Sequence, residues 1–99
     1  MVKRSAYEVA KTAGNPHHGW LQQQRRLPSV KLKKAMRSLR RQIAQHEAWI
    51  ANPYLKFPPD AEVSAVRWHR ERKWPGDIAR QRELIEILEG VIHERTDEK

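Results

Sequence analysis

The sequence predicts an all-α domain, and three observations carry that expectation. Apolar residues recur at alternating three- and four-residue spacing over two long stretches, 29–52 and 77–95. Proline, glycine and asparagine gather between such stretches, at Gly14-Asn15-Pro16, Asn52-Pro53 and Trp74-Pro75-Gly76. Patterns that would mark strands are nearly absent. Ninety-nine residues suffice for one domain with a small core. With 38% apolar and 32% charged residues, that core has to be assembled from amphipathic helices.

The elements follow in order. Ser5-Ala6-Tyr7-Glu8 reads as a capping box that opens a short helix from about 6 to 13, within an N-terminal arm of residues 1–14. Gly14 stops it, and Asn15 before Pro16 avoids the α region. Residues 15–28 read as a histidine-containing loop, irregular or briefly helical. Ser29 is a candidate cap for the long basic helix over 29–52, whose buried stripe is Leu32, Met36, Leu39, Ile43, His46 and Ile50. Asn52-Pro53 ends it. Residues 54–59 form a loop or extended connector, and a third helix over 60–73 turns Val63 and Val66 inward, with Trp68 near them. Trp74-Pro75-Gly76 punctuates the chain, and Asp77 is a candidate N-cap for the last helix, 77–95, striped by Ile78, Ile85, Leu88 and Ile92 and widened by Leu84 and Val91. The two long helices are expected to pack antiparallel. The four tryptophans are expected to supply much of the buried area, at about 200 Å² each.

Several classes drop out. No cysteine is present, so disulfides and thiolate metal sites are excluded. No run of about 20 apolar residues marks a transmembrane span, and Lys3-Arg4 lacks the apolar segment of a secretory signal. The charge is informative: net +8, with eleven lysines and arginines against Glu8 alone in residues 1–46, and nine against eleven acids in residues 47–99. Such a field favours a polyanion on the N-terminal side. Nucleic acid is the first candidate, through Lys31, Lys33, Lys34, Arg37, Arg40 and Arg41, with His17, Ser38 and Gln42 beside them. An acidic protein or an anionic membrane surface would also answer.

The histidines carry the sharper chemistry. His46 occupies a place on the apolar stripe where an aliphatic side chain would pack without a desolvation penalty. It is either a core imidazole bonded to a backbone carbonyl or a general acid or base at the seam between core and basic surface. His17-His18 lies in a turn-rich stretch, either solvated or facing a site. If His18 and His46 converge, one imidazole can take the proton of a ribose 2′-OH while the other protonates the leaving 5′-oxygen. Lys34, Arg37 or Arg41 would then stabilise charge on phosphorus, with no metal or cofactor required. A zinc site built from His17, His18 and His46 lacks a carboxylate or thiolate to complete it, and adjacent histidines usually point apart. His69 and His93 read as surface or helix-end residues.

Two resemblances add to this reading. Arg41 and His46 match the R-x4-H spacing of the all-helical HEPN ribonucleases, although the two side chains stand about 140° apart on a straight helix. Over about residues 14–92, Gly-Asn-Pro-His-His-Gly, Lys34-x-x-Arg37-Ser38-Leu39-x-x-Gln42-Ile43-x-x-His46, Ile50-x-Asn52-Pro53, Trp74-Pro75 and Ile78-x-x-Gln81 resemble the C-terminal toxin module of bacterial polymorphic toxins of the contact-dependent and Rhs type. The resemblance implies an antibacterial ribonuclease, tRNA among its candidate substrates, with His18, Lys34, Arg37, Ser38, Gln42 and His46 at the site and a cognate acidic immunity protein as partner. It also implies export within a larger toxin and action in the target-cell cytoplasm. Such modules usually end a long chain, whereas this sequence begins with Met1, as a free-standing cytoplasmic form would. The alternatives are a basic helical module that binds nucleic acid without cleaving it, and an interaction domain for an acidic protein.

Overall fold

A computed structural model describes residues 4–97 and is all-α, with no strand among them. Helix α1 spans Ala6–Ala10, α2 His18–Arg25, α3 Ser29–Ala51, α4 Val63–Trp68 and α5 Trp74–Asp97. A 3₁₀ turn, Pro53–Leu55, follows α3, and a π-helical turn, His69–Lys73, joins α4 to α5. As expected, the long basic helix packs antiparallel to the C-terminal one. Gln42 pairs with Gln81 and His46 faces Asp77, so four residues forward on α3 meet four residues back on α5. No helix is long and apolar enough to cross a membrane among the described residues.

The chain divides into two compact units. One takes the sequence up to Ser38 and from Glu83 onward; the other is Leu39–Arg82. In the first, Ala10, Leu21, Leu32, Met36, Ile85, Ile87, Leu88 and Val91 are buried. Polar side chains complete this small core. Arg95 donates to Ser29 Oγ at 2.9 Å and to the carbonyls of Arg25 and Leu27, closing the end of α2 where orphan carbonyls need donors. Arg25 grips Glu94 through Nε at 3.1 Å and Nη2 at 2.6 Å, and the Tyr7 hydroxyl donates to the same carboxylate. Burial, and then Glu94, push the Tyr7 phenol up to about 12. The Arg25 hydrogen bond holds Glu94 below the usual carboxylate range. Glu94 in turn raises the already high Arg25.

In the second unit Ile43, Val66, Trp74 and Ile78 are buried, with Pro53 and Gln81. Phe57, His69 and Trp74 meet ring to ring at 4.9–5.9 Å, and Trp49 joins them through Trp74 at 5.5 Å.

Several boundaries differ from the sequence reading. Ser5 Oγ does accept the Glu8 N–H, but α1 stops at Ala10, before the predicted 13. The predicted loop over 15–28 contains α2, because Leu21 and Gln24 find burial that outweighs Gly19. Ser29 is the first residue of α3, not its cap; the Pro28 carbonyl starts the helix and the Ser29 hydroxyl receives Arg95. Helix α4 starts at Val63, leaving residues 60–62 outside it and Val63 exposed, not inward. Pro75-Gly76 does not break the chain. Trp74 N–H donates back five residues to the His69 carbonyl, and this widened turn admits a proline that lacks the N–H of a regular ladder. Trp74 alone of the four tryptophans is buried; Trp20 and Trp49 are half-buried and Trp68 is exposed.

One glycine sets a packing limit. A Cβ on Gly90 would stand 2.1 Å from Tyr7 Cδ1, so the Tyr7 ring lies directly against the backbone of α5. Gly90→Ala should therefore lower the unfolding free energy by about 1–3 kcal/mol through overpacking. Gly76→Ala, which meets nothing within 4 Å in the same helix, should be neutral or stabilising by about 0.5–1 kcal/mol. Thermal melts of the two variants check the contrast. The Tyr7 shift also sets a sign. Between pH 10 and about 12 the unfolded chain releases a proton that the folded one keeps, so stability holds below pH 10 and declines above it. Chemical denaturation across that range should show the decline flattened in Tyr7→Phe.

Candidate nucleic-acid interface

Helix α3 must bury one stripe against α5, and everything else along it is free to be polar. At about 100° per residue, Lys33, Lys34, Arg37, Arg40 and Arg41 fall within an arc of roughly 120°, opposite the buried stripe. All five are exposed, as is Lys31. In the first unit the basic stretch is Lys31, Lys33, Lys34 and Arg37, and no carboxylate lies within ion-pair distance of any of these four among the described residues. Arg40 and Arg41 belong to the second unit, where Arg41 likewise has no acidic partner. The acids of the first unit lie mostly on α5 and are engaged elsewhere: Glu94 with Arg25, Glu86 with the Ala6 N–H at 2.7 Å, Glu83 with His17 at 3.3 Å. Lys31, Lys33, Lys34, Arg37 and Arg41, with no ion-pair partner among the described residues, retain their attraction for phosphate.

The two histidines of the acid–base scheme fall in different units, and each is held there by a backbone carbonyl. His18 belongs to the first unit, where its Nδ1 donates to the Ala10 carbonyl at 2.8 Å. His46 belongs to the second. Its Nδ1 donates to the Gln42 carbonyl at 2.8 Å, Nε2 faces Asp77 Oδ2 at 3.6 Å, and its ring meets Trp49 edge-on at 5.2 Å. Both nitrogens of His46 are turned to protein acceptors. His17 takes a left-handed backbone (φ 68°) at the start of α2 and turns Nε2 to Glu83. Among the described residues no three histidine or carboxylate side chains are grouped to hold a metal ion.

Two expected contacts are spent inside the fold. The Gln42 side-chain oxygen accepts from Gln81 Nε2 at 3.1 Å, fixing α3 to α5. Ser38 is half-buried. The sequence reading also missed a cluster around Asp77. That carboxylate, with its side chain only 14% exposed, accepts from Lys73 Nζ at 3.2 Å and from Arg80 Nη2, and faces His46. Burial alone would raise the Asp77 carboxyl, but Lys73 and Arg80 together hold it below the usual range. The i−4 and i+3 spacing of Lys73 and Arg80 was visible in the sequence; assigning Asp77 to a helix cap hid it.

Asp77→Asn should lower the unfolding free energy by about 1 kcal/mol, since Lys73 and Arg80 are well exposed and the charge-assisted bonds are screened. The Asp77 contribution is present above the unfolded carboxyl's range and is lost as pH falls through the folded one. Melts of the two proteins should therefore converge at low pH. Compared with family models, curated proteins and solved structures, the chain matches none of them.

Proposed function

We propose that this chain is a basic helical module that binds nucleic acid through α3, without cleaving it. One observation carries the reading: Lys31, Lys33, Lys34 and Arg37 stand exposed on one helix with no carboxylate engaging them among the described residues, while Glu83, Glu86 and Glu94 of the same unit are engaged elsewhere. RNA is the polyanion favoured, because the sequence resembles exported toxin modules, many of which are nucleases. Cleavage by His18 and His46 has less support. His46 would have to give up its Gln42 or Asp77 contact to reach a substrate, and its ring stands only 15% exposed beside Trp49.

The test is a salt titration of RNA binding. The wild type should bind with an affinity that falls linearly on a log–log plot, by about 0.7–0.9 per phosphate contacted. Replacing Lys33, Lys34 and Arg37 with Gln should weaken binding across all sequences and flatten that slope by about 2 to 3. His18→Ala and His46→Ala should leave binding unchanged. RNA cut by the wild type in chelator, and left whole by either histidine variant, would replace this reading with the ribonuclease one.

A further inference from the structure

In the second unit a groove of about 230 Å³ opens between the 3₁₀ turn and the helix that follows it, lined by Pro53, Tyr54, Val63, Val66, Arg67, Arg70 and Glu71. It has three features that core packing does not explain. Tyr54 is 51% exposed and Val63 67% exposed, so the groove presents an aromatic ring and an aliphatic side chain to solvent. Arg67 and Arg70, one turn apart on its wall, have no ion-pair partner among the described residues, while other cations of the unit are taken: Lys73 and Arg80 by Asp77, Arg82 by Glu47. The Tyr54 backbone is held in place, its N–H donating to Asn52 Oδ1 at 3.2 Å, while its ring stays open. The unit as a whole carries nine lysines and arginines against five acids.

We infer that this groove takes an unpaired base of single-stranded RNA, stacked on Tyr54, with the flanking phosphates on Arg67 and Arg70. Size and chemistry choose this occupant. At about 230 Å³ the groove is smaller than the roughly 300 Å³ at which pockets for larger organic ligands begin, yet it offers a ring face of the kind a flat base covers. A duplex keeps its bases stacked inward and could use the arginines but not Tyr54 or Val63. The carboxylates of an acidic peptide could use the same arginines, but the side chains that carry its charge have no planar ring to lay on Tyr54. Glu71, the acid in the wall, can accept from a base amino group.

This inference rests on the nucleic-acid reading above, and the experiment separates the two. Fluorescence anisotropy of the full chain is measured with a labelled 12-nucleotide oligo(A), a 12-base-pair RNA duplex and poly-glutamate, each over the same series of salt concentrations. The wild type should bind the single strand several-fold more tightly than the duplex, and poly-glutamate more weakly than either. Tyr54→Ala, at a half-exposed site and with an unchanged melt, should lose tenfold or more on oligo(A) and nothing on the duplex. Arg67→Gln with Arg70→Gln should weaken oligo(A) binding and flatten its salt slope by about 1.4. Equal affinity for single strand and duplex, with Tyr54→Ala matching the wild type on both, overturns the groove while leaving the α3 reading intact. Poly-glutamate bound as tightly as oligo(A) likewise overturns it. No binding to either RNA ends both.

Discussion

Scarcity of apolar side chains is the constraint from which the rest of this structure follows. A chain with nearly a third of its residues charged has only enough aliphatic surface for thin seams between helices. Polar groups therefore do part of the fastening. Glu94 draws together Tyr7 and Arg25, and Arg95 ties α5 to the end of α2 and the start of α3. In the second unit Gln42 and Gln81 join α3 to α5 by a side-chain hydrogen bond at 3.1 Å. Such contacts are directional where aliphatic packing is not, so each also fixes a register.

That economy decides which charges are left over. Acids used as fasteners are unavailable to neutralise α3, and Lys33, Lys34, Arg37 and Arg41 have no ion-pair partner among the described residues. A helix held on one side only can present lysine and arginine over most of its remaining circumference. The functional reading grows from this imbalance rather than from any reactive constellation.

How far the sequence revealed this depended on range. Helix α3 was legible because its stripe repeats over 23 residues, and the packing of Leu32, Met36 and Ile43 follows that repeat. The cations could be read as a face for the same reason. Pro75-Gly76 misled, because local breaker rules know nothing of a π turn that absorbs the missing N–H. His46 kept its place at the edge of the stripe, yet its partners, Asp77 and the Gln42 carbonyl, depend on pairing across 31 residues and on a backbone atom no pattern displays. The contact of Tyr7 with Gly90 is longer-ranged still. Ile87, wholly buried, was overlooked because it lies beside the stripe traced through Ile85 and Leu88.

The π turn between α4 and α5 has a geometric consequence. One residue beyond regular helical count advances the phase of everything after it by about 100°, so the helical path from Val63 to Asp97 is two rods out of step. A side chain that an unbroken wheel would aim at solvent is swung inward, and its neighbour outward. Trp74 lands inside for that reason, on the side that buries Val66 ahead of the join. The wider turn is thus a phase shifter: it lets one continuous stretch of helix turn Val66 before the join, and Trp74 and Ile78 after it, toward the same interior.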